Sequence, residues 1–193
     1  VRYITLTHAK SNHIADSSYD DNKQWNGLSD FGKKLITEMN NVGMIVDISH
    51  VSDSAFMQAI NLSNTPVIES HSSLRHFTPD WERNVSDEML LALAAKGGVI
   101  QINFGTAFLT DINDKSKGYD ADTYIHADIS DVVNHIDRVV ELVGIDYVGI
   151  GSEYDGVGDK MRNQLTDAAS YPNILAEVPK RGYATRALKK MIR

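Results

Sequence analysis

Three histidines of this sequence each follow a short segment rich in apolar and β-branched residues, at the point where a predicted strand ends. They are His8, His50 and His71. Neutral imidazole is a good zinc ligand, and neighbouring parallel strands bring such side chains close enough to share one metal ion. A single histidine in such a position is more often a structural hydrogen-bonding residue. The repetition on successive strands favours an active site, with His50 and His71 as candidate metal ligands.

The strands that carry these histidines belong to an alternating pattern of short apolar segments and longer segments of helical period. This pattern predicts βαβ units and a parallel sheet, and therefore an α/β fold. Ser29, either Ser52 or Asp53, and Ser86 are predicted to cap three of the helices. A fourth helix is predicted over 130–143, where valines and isoleucines share one face. The predicted strands are residues 2–7, 44–49, 67–70, 99–104 and 147–151.

An α/β barrel places its reactive groups at the C-terminal ends of its strands, which is where the three histidines lie. Such a barrel has eight strands and needs roughly 250 residues, whereas this chain has 193 residues. We therefore expect a single partial barrel domain over residues 1–193, from which three strands are missing. The polar segment 105–127 is predicted to be a loop.

The composition is typical of a globular protein and argues against several functions. Hydrophobic residues make up 42% of the chain and charged residues 23%, and no apolar segment approaches the ~18 residues that a transmembrane helix requires. The formal net charge of −7 argues against nucleic acid as a partner, because phosphate binding needs clustered Lys and Arg. The chain has no cysteine, so a metal would be held by His, Asp and Glu.

Several motifs occur in the order found in a known family. They are Leu-Thr-His at 6–8, Asp-Ile-Ser-His-Val-Ser at 47–52, Ser-His-Ser-Ser at 70–73, Arg-Asn-Val at 83–85 and Gly-Ile-Gly-Ser-Glu-Tyr-Asp-Gly-Val at 149–157. Together they resemble the membrane (renal) dipeptidase family, the M19 zinc peptidases of the amidohydrolase-like barrels. The resemblance implies a TIM-barrel-like (β/α)8 fold, of which this chain would supply strands four to eight.

The resemblance also implies hydrolysis of small dipeptides by a hydroxide that bridges two zinc ions. His50 and His71 match the histidine ligands of one ion. In the family, the ligands of the other ion and a bridging Glu come from earlier strands, so they are expected outside this chain. The chain alone is therefore expected to be an incomplete metallopeptidase.

Three further residues match positions that the family uses for its substrate. His8 matches a histidine that faces the substrate carbonyl and stabilises the tetrahedral oxyanion. Arg83 matches an arginine that binds the terminal carboxylate, although its residue type alone would predict a surface charge. Asn84 matches the adjacent position, where it would contact the substrate or form the turn before the next helix.

Glu153 departs from the family pattern, which has Asp at this position. In the family, that carboxylate takes a proton from the metal-bridging water and passes it to the leaving amine. Glu153 keeps a carboxylate, but its extra methylene displaces the group by about 1 Å, an error that can cost about two orders of magnitude in rate.

Three functions therefore stay open at this point. The first is an active zinc dipeptidase. The second is a metal-binding member of the same family whose activity is altered or lost, acting in the maturation of a secreted metabolite. The third is an inert structural or sugar-binding barrel, which would bind no zinc.

The remaining expectations concern side chains around the site and the setting of the protein. Strand alternation predicts that Glu69 faces outward as an exposed charge. Asp155 is expected to shape its loop, and His126 and His135 to be structural or surface residues. Relatives include exported and lipid-anchored proteins, which favours a location in the bacterial cell envelope or periplasm. The resemblance leaves a homodimer open.

Overall fold

The computed structural model describes residues 1–111, 127–157 and 165–192. Its centre is a five-stranded parallel sheet in which each strand pairs with the next one along the chain. The predicted number and order of the strands are thus confirmed for the described residues. Four strands are shorter than predicted, and β3 is longer. The strands are β1 (Tyr3–Thr5), β2 (Ile45–Asp47), β3 (Ile68–Ser72), β4 (Val99–Ile102) and β5 (Val148–Ile150).

Helices connect and follow the strands, as the alternating pattern predicts. None of the helices in the described ranges combines the length and the apolar character that crossing a membrane requires. Short 3-10 turns lie at Arg75–Phe77, Ile145–Tyr147, Ala168–Ser170 and Val178–Arg181. The helices are α1 (Asp30–Asn41), α2 (Asp53–Leu62), α3 (Asp87–Ala95), α4 (Thr106–Leu109), α5 (Ile129–Val143), α6 (Tyr171–Glu177) and α7 (Thr185–Met191).

The predicted helix starts are confirmed by their capping contacts. Ser29, Ser52 and Ser86 each accept a hydrogen bond from the backbone N–H three residues later, which satisfies a donor that has no partner inside the helix. Asp128 caps α5 and forms a capping box with Asp131. Local side-chain chemistry therefore sets where these four helices begin.

Part of the segment predicted as a loop is helical. The short helix α4 lies inside the predicted loop 105–127, and it buries Phe108 and Leu109 against the core. The polar composition of the segment as a whole conceals these two apolar residues. Residues 112–126 of the predicted loop, including His126, lie outside the described residues.

The hydrophobic core lies between the sheet and the helices that cover it. Both the strands and the inward faces of the helices contribute side chains to this core, which is the layer arrangement expected of an α/β fold. The fully buried side chains of this core include Ile36, Val46, Ile48, Phe56, Leu93, Ile100, Ile102 and Ile136.

Strand β3 contains a β-bulge that the sequence analysis did not anticipate. Glu69 pairs with Ile100 and Ser72 pairs with Ile102, so β3 advances three residues while β4 advances two. The extra residue breaks the simple alternation of side chains along the strand. Bulges of this kind re-aim side chains and are common next to active sites.

The prediction that Glu69 faces outward is wrong, and the bulge is the physical reason. Glu69 is only 2% exposed, and its carboxyl group accepts a hydrogen bond from the Ser72 hydroxyl. Burial raises the pKa of Glu69 to about 8, and the Arg83 guanidinium is the largest influence that lowers it. A buried carboxyl group needs such partners, because desolvation without them is costly.

His135 is structural, as predicted. Its ring is fully buried in α5, where Nδ1 accepts from the backbone N–H of Leu74 and Nε2 donates to the carbonyl of Leu109, both at 3.0 Å. These two contacts fix the neutral tautomer, because Nδ1 has to remain a hydrogen-bond acceptor. Burial lowers the pKa of His135 to about 4.

Candidate metal centre and active site

Two histidines and one carboxylate converge at the C-terminal edge of the sheet. His50 lies just beyond β2, His71 lies in β3 and Glu153 follows β5. One ligand atom of each lies within 4.8 Å of the others. His50 Nε2 is 2.8 Å from His71 Nε2, and His71 Nε2 is 3.7 Å from Glu153 Oε1. We call these three residues the metal cluster.

The backbone at two members of the metal cluster is in the left-handed region. His50 has φ 69° and Glu153 has φ 63°, and only two other described non-glycine residues have a positive φ. Such a conformation costs a non-glycine residue about 1–3 kcal/mol, so it persists where the surrounding fold imposes it. The strained turns aim both side chains into the same space.

The carboxylate of Glu153 is also held from the side. Asn103, which is buried at the end of β4, donates a hydrogen bond from Nδ2 to Glu153 Oε2. This contact leaves Oε1 as the oxygen that faces His71. Asn103 was not predicted as a site residue. The available signal was a polar side chain inside the otherwise apolar segment predicted as strand 99–104.

The ring of His71 is oriented by a buried carboxylate through a serine. Ser70 Oγ donates to Asp47 Oδ2 at 2.6 Å, so its oxygen is left to accept from Nδ1 of His71, also at 2.6 Å. This assignment leaves the lone pair of His71 on Nε2, directed at His50. In metal-binding histidines, a hydrogen bond at the ring nitrogen that does not bind the metal fixes the tautomer in this way.

Asp47 and Ser70 are parts of the site that were not predicted from the sequence. Asp47 is fully buried, and it also accepts hydrogen bonds from the hydroxyls of Thr5 and Ser49. The signal was an aspartate inside an otherwise apolar strand, because a carboxylate in that position has to be paired.

Both histidines of the metal cluster are neutral at neutral pH. Burial lowers the pKa of His50 to about 2, with Arg83, His71 and His8 acting in the same direction. Burial and Arg83 also lower the pKa of His71, against the opposing influence of Glu153 and Asp47. Neutral imidazole is the form that binds a metal ion.

The donor set of the metal cluster fits zinc. Two neutral imidazoles and a carboxylate are ligands that zinc takes in protein sites, and their mutual distances allow one ion to contact all three. Within the described residues, His50 Nδ1 is a buried polar atom without a hydrogen-bond partner. Glu153 was predicted for proton transfer only, whereas its position also puts the carboxylate within reach of a metal ion.

An open cleft of about 350 Å³ lies beside the metal cluster. His8 is exposed in this cleft, and its ring centroid is 4.7 Å from that of His50. Two aromatic side chains of the lining, Trp81 and Phe108, pack edge to face with their ring centroids 4.9 Å apart. The lining also includes Tyr19, Thr106, Val157 and Glu153.

Arg83 is buried, which corrects the expectation of a surface charge. It is 3% exposed, and its guanidinium donates from Nη1 to Ser72 Oγ and from Nη2 to the carbonyl of His71, both at 2.6 Å. Its Cζ lies 5.0 Å from the ring centroid of Phe108. Burial lowers the pKa of Arg83, and Glu69 is the largest influence that raises it.

Asn84 is fully buried and holds loops together. Its Oδ1 accepts from the backbone N–H of Ser73, and its Nδ2 donates to Thr78 Oγ1 and to the carbonyl of Phe108. These contacts use the hydrogen-bonding capacity of the side chain within the protein. Of the two roles open for Asn84, the structure supplies contacts for the loop role, and substrate binding stays a prediction.

A model of the membrane dipeptidase family, peptidase family M19, matches residues 1–193. The chain belongs to this family. Among curated relatives of the family, dipeptidase tcpJ of Claviceps purpurea is 38% identical over 192 residues, which cover 100% of this chain and 42% of the relative. Dipeptidase 3 of Rattus norvegicus is 33% identical over 197 residues and is covered over 38% of its length.

Solved structures support the same assignment. The probable dipeptidase PvdM of Pseudomonas aeruginosa superposes with a TM-score of 0.85 at 26% identity, over 99% of this chain and 60% of that protein. A metallopeptidase of Rhodobacter sphaeroides superposes with a TM-score of 0.85 at 23% identity, over 53% of its length, which shows a shared fold. The predicted family and α/β fold class are thus confirmed. This chain spans about two fifths of the length of the curated relatives.

Proposed function

We propose that the full-length protein is a zinc-dependent dipeptidase that hydrolyses the peptide bond of small dipeptides. The observation that carries this proposal is the convergence of two neutral imidazoles and a carboxylate beside an open cleft, in a chain of the dipeptidase family. The cleft volume of about 350 Å³ lies within the range of small-molecule sites. The Rhodobacter sphaeroides relative carries a phosphinate mimic of the dipeptide L-Ala-D-Ala, which is the substrate class proposed for this chain.

His50 and His71 would hold zinc, and the carboxylate of Glu153 is close enough to join them. Zinc, when bound, lowers the pKa of water towards ~7 and polarises the scissile carbonyl. The family resemblance assigns the remaining ligands, and a second ion, to residues outside this chain.

Glu153 would carry the proton during hydrolysis. Asn103 holds one oxygen of its carboxylate, and Oε1 faces the space next to His71. A carboxylate in this position can take a proton from the attacking water at Oε1 and deliver it to the leaving amine. His8, exposed in the cleft beside His50, is placed to donate a hydrogen bond to the carbonyl oxygen as negative charge develops there.

Arg83 would bind the terminal carboxylate of the dipeptide. Its contacts with Ser72 and the carbonyl of His71 use two of the five N–H groups of a guanidinium, and Nε has no partner among the described residues. A guanidinium binds a carboxylate well because it can donate two parallel hydrogen bonds to it, and the N–H groups that remain on Arg83 would make these contacts.

The test measures zinc content and dipeptide hydrolysis of the purified full-length protein. We expect two bound zinc ions and cleavage of a panel of dipeptides. We expect His50→Ala and His71→Ala each to lose the activity and the one zinc ion that these histidines hold. His13→Ala is the matched control, because His13 is an exposed histidine outside the cleft. Zinc binding without cleavage, especially if Glu153→Asp restores activity, would support the altered family member instead. A metal content that His50→Ala and His71→Ala leave unchanged would support the inert barrel.

A further inference from the structure

A buried chain of hydrogen bonds runs from Glu69 through Ser72 to Arg83. The hydroxyl of Ser72 donates to Glu69 Oε2 and accepts from Arg83 Nη1, the latter at 2.6 Å. Glu69 is 2% exposed, Ser72 0% and Arg83 3%, so water does not compete for these contacts. None of the roles derived from the family pattern involves Glu69.

The bulge in β3 makes this chain possible. In a regular strand, residues three apart point to opposite faces of the sheet. The register shift between Glu69 and Ser72 adds one residue to β3. This brings the two side chains to the same side, where they form a direct hydrogen bond.

Glu69 determines which way the Ser72 hydroxyl points. A serine hydroxyl has one proton and two lone pairs, and it rotates to suit its neighbours. The carboxyl oxygen of Glu69 accepts the hydrogen bond from the Ser72 hydroxyl. The lone pairs of the Ser72 oxygen therefore face Arg83. Without that acceptor, the hydroxyl can rotate its proton towards the guanidinium, and the contact with Nη1 is lost.

The direction of the Ser72 hydroxyl in turn fixes the guanidinium plane. Nη1 is held by Ser72, Nη2 by the carbonyl of His71, and one face of the guanidinium is covered by Phe108. A planar group held at two nitrogens and one face has little rotational freedom left. Such pre-organisation strengthens binding, because the ordering cost is met before the ligand arrives.

We propose that Glu69 is a positioning residue for substrate recognition, which acts through the Ser72 hydroxyl to hold Arg83 ready for the terminal carboxylate of the dipeptide. The inference rests on the proposed function, and it assigns to Glu69 a hydrogen bond rather than a charge. It follows that glutamine, which keeps an acceptor oxygen, can replace Glu69 and that alanine cannot.

The test compares a dipeptide that has a free carboxylate with its C-terminal amide, using the zinc-loaded full-length protein. Glu69→Ala is expected to raise KM for the free dipeptide about tenfold, the loss of roughly one hydrogen bond to a charged group, with kcat within about threefold. The inhibition constant of the amide, measured as a competitive inhibitor, is expected to stay unchanged, because the amide lacks the carboxylate. Glu69→Gln is expected to bring KM back towards the wild-type value.

Two further variants separate this role from a general loss of structure. Ser72→Ala removes the hydroxyl that links Glu69 to Arg83, so it should raise KM for the free dipeptide and leave the inhibition constant of the amide unchanged. If Glu69→Ala does not fold, Ser72→Ala tests the proposal in its place. Glu38→Ala removes an exposed glutamate of α1 and should change neither constant. The proposal would be overturned if Glu69→Ala weakened binding of the dipeptide and of the amide to a similar extent. It would also be overturned if Glu69→Gln raised KM for the free dipeptide as much as Glu69→Ala does.

Calorimetric binding of the same two compounds distinguishes this inference from the proposed function. If the wild-type protein cleaves no dipeptide, the proposed function fails. The positioning role still predicts that Glu69→Ala weakens binding of the free dipeptide about tenfold and leaves binding of the amide unchanged. Equal binding of the free dipeptide by wild type and Glu69→Ala would overturn the inference alone.

Discussion

His50 and His71 face each other Nε2 to Nε2 at 2.8 Å. This hydrogen bond needs one lone pair, and the contact with Ser70 assigns the lone pair to His71. His50 Nε2–H is then the donor. Zinc needs the same lone pair, so the ion and the shared proton compete for one position between the two rings.

The Ser70 contact should therefore matter for metal affinity. Ser70→Ala removes the link between Asp47 and His71, so the tautomer of His71 is no longer fixed. We expect zinc affinity to fall about 10–100-fold, measured by competition with a chelator. Ser63→Ala is the control, because Ser63 is also buried but follows the last residue of α2, where its hydroxyl donates to Asn40 Oδ1 of α1. An unchanged zinc affinity in Ser70→Ala would contradict the role of Ser70 in orienting the His71 ring.

Glu153 can be tested for proton transfer separately from metal binding. Glu153→Gln keeps the size of the side chain and its contact with Asn103 but cannot carry the proton. We expect kcat to fall about 10²–10⁴-fold, the usual contribution of a general acid or base, while zinc content is retained. Asp155→Asn, a change at an exposed neighbouring acid, should leave kcat close to wild type. Loss of zinc in Glu153→Gln would show that the carboxylate holds the ion, as its place in the metal cluster allows, and would contradict a role in proton transfer alone.

Trp81 should influence which dipeptides are accepted. It forms an aromatic pair with Phe108 in the lining of the cleft. Trp81→Ala should raise KM about tenfold for dipeptides with aromatic or large apolar side chains, and less for Ala-Ala, because the contact area lost is larger. Trp25→Ala changes a tryptophan outside this cleft and serves as the control. An equal effect on all dipeptides would contradict a role in selectivity.

His135 should make stability depend on pH. Its pKa is about 4 in the folded protein and 6.5 for the free side chain, so the unfolded chain binds more protons between these values. The contribution of His135 to the free energy of unfolding is therefore fully present above pH 6.5. It is lost as pH falls towards 4, and the loss amounts to roughly 3 kcal/mol in total.

Denaturant unfolding at several pH values compares wild type with His135→Gln. Glutamine is expected to be less stable at pH 7, because it does not reproduce both contacts with Leu74 and Leu109. The difference in unfolding free energy should shrink as pH falls, since only the wild type loses this contribution. His13→Gln should run parallel to wild type. A difference that stays constant from pH 7 to pH 4 would contradict this explanation.

The features that the sequence predicted are those that depend on neighbouring residues. Ser29, Ser52 and Ser86 cap helices through contacts three residues away, and the strands follow from short apolar segments. The convergence of His50 and His71 follows from parallel strands that end at one edge. These relationships are short in sequence or are imposed by the topology, so a pattern can reveal them.

The features that were missed depend on contacts between distant elements. The bulge that buries Glu69 is a property of how β3 pairs with β4, and strand alternation alone pointed the wrong way. The aromatic pair in the cleft lining joins Phe108, from α4, with Trp81, from the loop before α3. Such contacts are set by tertiary packing, which no local pattern specifies.

The left-handed backbone at His50 and Glu153 implies a trade-off between heat tolerance and activity. Glycine adopts this conformation without a steric penalty, so His50→Gly and Glu153→Gly would each relieve the backbone even as they remove a chemical group. Selection of variants for survival at high temperature, with no demand for activity, should therefore accumulate replacements at these two positions. A parallel screen that selects for catalytic activity should instead retain His50 and Glu153.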